Sequence, residues 1–398
     1  MERNKQLKAE IINHLSIHSM KKITLIFLLI ATVSLAQNIK TGAENFEKYL
    51  PLLKGKSVGI VTNQTSIVDQ KTHLVDFLLS KNVKIKTIFA PEHGFRGTAD
   101  AGEHLNDEID AKTGLQIVSL YGKNSKPKPE QLQGIDIVVF DIQDVGSRFY
   151  TFISTLHVVM EACAENNIPI IVLDRPNPVG SIVDGPILEK EFASFVGMDA
   201  IPILHGMTFG EYAKMLNGEK WLENGVQCKL TVIECKNYKR EMPYHLPVKP
   251  SPNLPNDQSI NLYASLCLFE GTNVSMGRGT ETQFQIYGSP YLPKSDFVFT
   301  PKPNFGAKEP TYNGVLCYGE DLTQYPKLDK IELKWLIKAY NTTSDKSRFF
   351  NKFFTRLAGT KKLQEQIEAG VSEEEIRNSW KEGLENFKKM RAKYLIYK

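Results

Sequence analysis

Short β-branched apolar segments alternate with helical segments along the first half of this chain, and this alternation limits its fold more than any other feature. Strands are predicted at Ser57–Thr62, Lys84–Phe89, Gln116–Leu120, Ile135–Phe140 and Ile168–Leu173. Amphipathic helices are predicted between strands, for example over His73–Ser80 and Ile153–Asn166. Near-continuous apolar strands separated by helices are typical of a parallel sheet that is covered on both faces. The sequence therefore predicts an α/β fold with a Rossmann-like N-terminal domain.

A proline-rich stretch over Pro243–Pro255 separates this region from a part of different composition. Extended segments rich in proline are typical of domain boundaries. Glycine-rich strands and loops then run to about residue 320, and helices are predicted over 329–398. We predict a Rossmann-like domain over 37–262 and a smaller α+β domain over 263–398.

The N-terminus has the pattern of an export signal. Met20 is followed by two lysines, by an apolar run over 23–35 and by small residues at Ser34 and Ala36. This order is that of a signal peptide, and the apolar run is shorter than the roughly 20 residues that a membrane-spanning helix needs. We predict a leader over 1–36, made of a mis-assigned extension (1–19) and a cleavable signal peptide (20–36). The mature protein would be periplasmic or secreted, without a membrane span; the alternative is an uncleaved N-terminal anchor.

Several classes of protein are excluded by missing motifs. No G-x-G-x-x-G follows the first strand and no Walker lysine motif is present, so we predict no nucleotide cofactor. The 49 basic and 45 acidic residues nearly balance without a long basic run, which argues against nucleic-acid binding. The five cysteines are dispersed and no H-E-x-x-H spacing occurs, so we predict free thiols and no metal site. The sequence does not indicate an oligomeric state.

Polar side chains follow the strands of the predicted sheet. In an open parallel sheet, ligands bind outside the carboxyl ends of the strands, so we expect these side chains to converge on one crevice. The candidates are Asn63, Glu92, His93, Arg96, Asp141, Gln143, Asp144, Arg148, Tyr150, Asp174, Arg175 and Asn177. Structural alternatives remain: Asp141 could bond loop amides at a strand end, and Asp144 could pair with Arg148 four residues later.

The start of the second domain offers another group of candidates, in a segment where glycines at 271, 277 and 279 allow close backbone approach. Polar side chains lie between these glycines at Glu270, Arg278 and Glu281. An arginine on such a loop suits two-point recognition of a carboxylate. The alternative is a glycine-rich hairpin with solvated side chains.

Two other polar residues are predicted to have structural roles. Thr208 and Glu211 are spaced as a capping box that begins a helix, so Glu211 would bind backbone donors. His157 lies among apolar residues in a predicted helix and is expected to be a core histidine.

Five long strings, in this order, resemble one family. APEHGFRG, FDIQDVGSRFYT, VLDRPNP, SPNLPN and FEGTNVSMGRGT are similar to the exo-β-N-acetylmuramidases of the NamZ type, the former DUF1343 group. The resemblance covers about residues 40–398. It implies a Rossmann-like domain joined to a smaller one, with the active site in the cleft between them. It also implies release of N-acetylmuramic acid from the non-reducing ends of peptidoglycan fragments, without a cofactor.

The resemblance identifies Glu92 as a catalytic carboxylate, since it lies within APEHGFRG. Glycoside hydrolysis needs an acid and a second group that stabilises an oxocarbenium-like transition state. We predict Glu92 as the acid beside His93, with Asp144 or Asp141 as its partner and Glu270 or Glu281 as further candidates. Arg278, Arg148 or Arg175 would bind the lactyl carboxylate of muramic acid. The alternatives are a catalytically silent envelope sugar-binding protein and a metal-dependent hydrolase of another ester or amide.

Overall fold

A seven-stranded, mainly parallel sheet lies at the centre of the N-terminal part of the chain in the computed structural model. The structure describes residues 38–69, 71–96 and 108–397; the predicted extension (1–19) and signal peptide (20–36) lie outside them. The strands are β1 (Ser57–Thr62), β2 (Ile67–Val68), β3 (Thr72–His73), β4 (Lys84–Ala90), β5 (Glu108–Ile109), β6 (Gln116–Ser119), β7 (Ile137–Asp141), β8 (Ile170–Leu173), β9 (Leu230–Ile233), β10 (Ile286–Ser289), β11 (Val298–Phe299) and β12 (Cys317–Asp321).

The strand order in the large sheet is β5-β6-β4-β1-β7-β8-β9. Strand β1 pairs in parallel with β4 on one side and with β7 on the other, and only the edge strand β5 runs antiparallel. The five predicted strands are all present, with ends that differ from the prediction by at most two residues. The sheet order brings the carboxyl ends of β4, β1 and β7 next to one another.

The helices are α1 (Phe46–Leu53), α2 (Leu74–Ser80), α3 (Pro129–Leu132), α4 (Phe152–Glu165), α5 (Phe209–Gly218), α6 (Asp257–Leu266), α7 (Lys334–Thr342), α8 (Phe354–Ala358), α9 (Lys362–Glu368) and α10 (Glu373–Ala392). Among the described residues, none of them is long and apolar enough to cross a membrane.

Alternate residues of the strands face two different apolar clusters, as the period of two in a strand requires. In β7, Val139 packs with α1 and α2 on one face, whereas Val138 and Phe140 pack with α4 and α5 on the other. Both faces of the sheet are therefore covered, which explains why its strands are almost wholly apolar.

The C-terminal part contains the antiparallel sheet β10-β12-β11 and helices α7 to α10. It shares a continuous apolar core with the α4 and α5 face of the large sheet, because Trp335, Phe354 and Phe387 belong to the same cluster as Phe152. The chain thus has the α/β, two-part architecture that the sequence predicts. Helix α6 spans the predicted domain boundary at 262/263.

The predicted structural roles of Glu211 and His157 agree with the structure. Thr208 Oγ1 accepts from the Glu211 backbone N–H at the start of α5, and the Glu211 carboxylate also pairs with Arg240. His157 is buried within α4 and contacts Asp199. All five cysteines are buried and free.

Candidate active site

A cavity of about 450 Å³ lies between the carboxyl ends of the sheet strands and the C-terminal part of the chain. Residues that follow β4 and β7 line one side, among them Glu92, Tyr150 and Thr151. Residues of the glycine-rich segment line the other side, among them Glu270 and Arg278. Its volume is that of an ordinary small-molecule site.

A tight turn after β4 carries Glu92 into the cavity. The Gly94 N–H donates to the Pro91 carbonyl at 3.0 Å, and both His93 and Gly94 have left-handed backbone conformations, with φ of 69° and 75°. A non-glycine residue in this conformation costs about 1 kcal/mol, and such strain is concentrated at functional sites. His93 is buried and also lines the cavity, whereas Glu92 is partly exposed.

The turn after β7 brings a hydroxyl group to Glu92. Thr151, immediately before α4, donates from Oγ1 to Glu92 Oε2 at 2.7 Å. The two residues meet because β4 and β7 both flank β1. Two turns that are 59 residues apart in sequence thus form one side of the cavity.

An ion pair forms the facing wall. Arg278 donates to Glu270 Oε1 from Nη2 at 2.7 Å and from Nε at 3.3 Å, and its guanidinium lies 5.2 Å from the Phe284 ring centre. Burial alone would lower the pKa of Arg278, but the charge and hydrogen bonds of Glu270 outweigh burial and raise it above its usual range. The guanidinium therefore remains charged, and its Nη1 makes no hydrogen bond among the described residues.

Aromatic rings form part of the cavity lining. Tyr150 and Phe149 each meet the Tyr263 ring edge to face, at 5.8 and 5.5 Å between ring centres. Tyr150 also donates from its hydroxyl to the Pro250 carbonyl at 2.7 Å. Burial, with the nearby carboxylates of Asp144 and Glu92, raises the pKa of Tyr150 well above its usual value, so its hydroxyl remains protonated.

Asp141 and Arg175 lie inside the protein, which corrects the expectation that they reach the crevice. Arg175 Nε donates to Asp141 Oδ1 at 2.6 Å and Nη2 donates to Oδ2 at 2.9 Å. Arg175 also donates to the Ile67 carbonyl, and both side chains are buried. Burial lowers the pKa of Arg175, but the Asp141 charge more than reverses that effect. A buried ion pair of this kind holds β7 and β8 together, and neither residue lines the cavity.

Arg148 is likewise a structural residue, contrary to its prediction as a substrate ligand. It is wholly buried, and its guanidinium donates to four backbone carbonyls, those of Pro186, Ile201, Leu357 and Ala358, at 2.7 to 3.0 Å. Burial lowers its pKa to about 9. These bonds connect the large sheet to the C-terminal part, and the alternative pairing of Arg148 with Asp144 does not form.

Asp144 does not line the cavity, which corrects its expected place beside Glu92. It is 3% exposed, and its Oδ2 lies 3.5 Å from Nε2 of the buried His205 ring. His205 Nδ1 accepts from the Met207 N–H, which places the ring proton on Nε2, facing Asp144. Gln143, its neighbour, is also buried and donates to the Pro176 carbonyl at 2.8 Å.

The remaining amide and carboxylate candidates at the strand ends are held in internal hydrogen bonds and do not line the cavity. Asp174 accepts from Thr208 Oγ1 and Tyr397 Oη, both at 2.7 Å, and burial raises its pKa to about 7. Asn177 donates to the Met207 carbonyl, and Asn63 accepts from the backbone and hydroxyl of Thr65. These contacts shape the turns after the strands.

Arg96 and Glu281 also lie away from the cavity lining. Arg96 pairs with Asp110 at 2.7 Å and covers the Phe95 ring, with its guanidinium 4.3 Å from the ring centre. Glu281 is exposed. Of the fifteen predicted site residues, the cavity lining thus brings together Glu92, His93, Tyr150, Glu270 and Arg278.

Eight polar residues line the cavity without having been predicted: Tyr121, Thr151, Ser251, Asn253, Tyr263, Thr272, Glu309 and Thr311. Thr151 and Asn253 lie within the strings FDIQDVGSRFYT and SPNLPN, so the resemblance already carried a signal for them. Glu309 lies on an exposed loop with no motif around it, and nothing in the sequence marks it.

A group of three potential metal ligands occurs among the described residues, but it lies outside the cavity. Glu161, Glu165 and Glu223 bring one oxygen each within 4.8 Å of one another. Lys126 Nζ lies 2.6 Å from Glu161 and 2.8 Å from Glu165, so a lysine ammonium already supplies the positive charge there.

The comparison with known families agrees with this architecture. Residues 58–258 match the model of the N-terminal domain of the exo-β-N-acetylmuramidase NamZ, and residues 261–397 match that of its C-terminal domain. The cavity is lined from both matched regions.

Individual relatives give the same result. The chain is 41% identical over 382 residues to the peptidoglycan β-N-acetylmuramidase NamZ of Bacillus subtilis strain 168, covering 90% of this chain and 91% of the relative. It is similar to the crystal structure of a DUF1343 family protein from Bacteroides fragilis, with a TM-score of 0.85, 46% identity, and coverage of 91% of this chain and 99% of that one. A second DUF1343 structure from the same organism has a TM-score of 0.77, 31% identity, and coverage of 90% and 99%. The chain therefore belongs to the NamZ family of exo-β-N-acetylmuramidases, formerly DUF1343.

Proposed function

We propose that the protein is an exo-acting glycoside hydrolase that releases N-acetylmuramic acid from the non-reducing end of peptidoglycan fragments. The observation that carries the proposal is the position of Glu92. It lies in the APEHGFRG turn, at a cavity lined from both family-matched regions. The reaction adds water across the β-1,4 bond between N-acetylmuramic acid and N-acetylglucosamine, giving the free sugar and a shortened fragment.

We assign Glu92 as the group that gives a proton to the leaving glycosidic oxygen. Hydrolysis of this kind also needs stabilisation of the positive charge that develops at the anomeric carbon. Asp141 and Asp144 do not line the cavity, so we assign that role to a carboxylate of the facing wall, Glu270 or Glu309. The 2-acetamido group of the substrate is an alternative source of the same stabilisation.

Selectivity for muramic acid over glucosamine would come from Arg278. The lactyl group of muramic acid carries a carboxylate that N-acetylglucosamine lacks. Arg278 remains charged, and Glu270 engages its Nε and Nη2. A substrate carboxylate can accept from Nη1, and such charge-assisted hydrogen bonds are about twice as strong as neutral ones.

We further propose that the protein acts outside the cytoplasm, as the signal-like segment over 20–36 predicts. This location suits a substrate that forms part of the cell wall. Fractionation of cells that express the full chain, followed by N-terminal sequencing of the exported form, tests this proposal; a mature N-terminus at Gln37 is expected.

Product analysis on the disaccharide MurNAc-β-1,4-GlcNAc tests the activity. We expect release of both sugars, and release of para-nitrophenol from the N-acetylmuramide but not from the N-acetylglucosaminide. Glu92→Gln should abolish turnover while the fold is retained. Binding of the disaccharide without turnover would indicate a sugar-binding protein instead.

A further inference from the structure

Thr151 occupies the N-cap position of α4, but its hydroxyl does not cap that helix. An N-cap side chain usually accepts a hydrogen bond from a backbone N–H in the first turn, from an extended backbone conformation. Thr151 has φ −62° and ψ −9°, which is helical, and its side chain makes no capping bond. The hydroxyl is used instead to donate to Glu92 Oε2 at 2.7 Å.

The segment that carries Thr151 is held firmly from both sides. Tyr150, just before it, bonds to Pro250 through its hydroxyl and to Ser147 through its backbone N–H. Just after it, α4 is buried along nearly its whole length, and the Thr155 N–H donates to the Thr151 carbonyl at 3.0 Å. The position of the hydroxyl is therefore set by a packed helix, not by the turn that carries Glu92.

This hydrogen bond connects two separate parts of the cavity wall. Glu92 lies on the turn after β4, whereas the donor lies at the start of the packed helix α4. Thr151 thus affects the orientation of Glu92.

We propose that Thr151 is a positioning residue for Glu92, which fixes the position of Oε2. The inference rests on the proposed function only in naming Glu92 as the catalytic acid. By holding one oxygen, Thr151 limits rotation of the carboxylate plane and so orients the other oxygen.

Three variants test this role, each with kcat and KM measured separately on the para-nitrophenyl N-acetylmuramide. Thr151→Val keeps the shape of the side chain and removes the donor, whereas Thr151→Ser keeps the donor. Ser154→Ala is the matched control, because it removes a buried hydroxyl of the same helix turn that has no hydrogen-bond partner among the described residues.

We expect Thr151→Val to lose about 10- to 100-fold in kcat, the loss expected for a hydrogen bond to a charged group, with a smaller change in KM. Thr151→Ser should regain most of the activity, and Ser154→Ala should match the wild type.

The possible failures can be told apart. An inactive wild type would overturn the proposed function. An active wild type whose kcat is unchanged by Thr151→Val would overturn the role of Thr151 alone. So would equal losses in Thr151→Ser and Thr151→Val. Thermal unfolding of each variant identifies any loss that comes from misfolding.

Discussion

Arg175 donates hydrogen bonds to both carboxylate oxygens of Asp141 in the interior of the protein, at 2.6 and 2.9 Å. Removing one partner of such a pair leaves an uncompensated buried charge. We therefore expect Arg175→Met to lower the free energy of unfolding by about 3–5 kcal/mol, measured by urea denaturation. Replacing both partners, as Asp141→Asn with Arg175→Met, should destabilise less than Arg175→Met alone.

The matched control for this pair is the exposed ion pair of Lys236 with Glu47, whose side chains are 45% and 52% exposed. Lys236→Ala should cost far less than Arg175→Met, because water screens an exposed pair. If Arg175→Met lowered the free energy of unfolding as little as this control does, the buried pair would not be the contact that holds the ends of β7 and β8 together.

His157 gives the stability of the protein a pH dependence. Its Nδ1 lies 2.8 Å from Asp199 Oδ2 and its Nε2 lies 3.6 Å from Glu161 Oε2. Burial lowers the pKa of His157, but the hydrogen bonds to the two carboxylates outweigh burial and raise it to about 9. Because the folded pKa exceeds the unfolded value of about 6.5, the stabilisation is complete below that value and is lost as the pH rises through 9.

The free energy of unfolding, measured by urea denaturation between about pH 6 and pH 10, should therefore fall by up to about 3 kcal/mol because of this residue. His157→Gln should be less stable at low pH and should flatten the curve. His245→Gln is the control, since His245 also pairs with an aspartate but is 81% exposed in its side chain. A curve that keeps its slope in His157→Gln would place the titrating group elsewhere.

The sequence predicts the sheet well because the residues within each strand are enough to indicate a strand. Runs of β-branched residues define β1, β4 and β7, and the order of such runs predicts the parallel arrangement. It could not say which polar side chains reach the cavity. Arg148 and Arg278 both lie in family-like strings, yet Arg148 is held by carbonyls that are 38 to 210 residues away in sequence. Contacts of that range depend on the packing of the two parts of the chain.

Arg278 should determine the preference for a muramic over a glucosamine sugar. We expect Arg278→Met to reduce kcat/KM on the N-acetylmuramide by about 10- to 100-fold, the loss of one charge-assisted hydrogen bond. Inhibition by free N-acetylmuramic acid should weaken and inhibition by free N-acetylglucosamine should change little, so the ratio of the two inhibition constants reports the role.

Two further variants keep this test clear. Arg278→Met leaves the Glu270 carboxylate without its partner, and Glu270→Gln removes that charge. A variant that combines the two substitutions therefore separates substrate binding from the cost of an isolated Glu270 charge. Arg96→Met is the control, because Arg96 pairs with Asp110 outside the cavity lining. An unchanged sugar preference in Arg278→Met, or an equal loss in Arg96→Met, would contradict the assignment.

Tyr397 connects the C-terminal segment to the ends of strands β8 and β9, and its replacement should destabilise the protein most at high pH. Its hydroxyl donates to Asp174 Oδ2 at 2.7 Å and accepts from the Cys235 N–H at 2.8 Å. Burial raises the pKa of Asp174 to about 7, above its unfolded value, so the stability that this group contributes is complete at low pH and is lost as the pH rises through 7. The Tyr397 hydroxyl limits that loss, because it stabilises the ionised form.

Tyr397→Phe should therefore lower the free energy of unfolding by about 1 kcal/mol at about pH 5 and by about 2–3 kcal/mol at about pH 8. Tyr394→Phe is the matched control: its hydroxyl also donates to a carboxylate, Glu219, at 2.7 Å, but the pKa of Glu219 is lowered by this bond and by Lys393. Glu219 is ionised at both pH values, so the cost of Tyr394→Phe should be small and equal at the two. If Tyr397→Phe showed the same cost at both, the Asp174 carboxylate would not change its charge in this range, and the phenol would act only as a packing and hydrogen-bonding group.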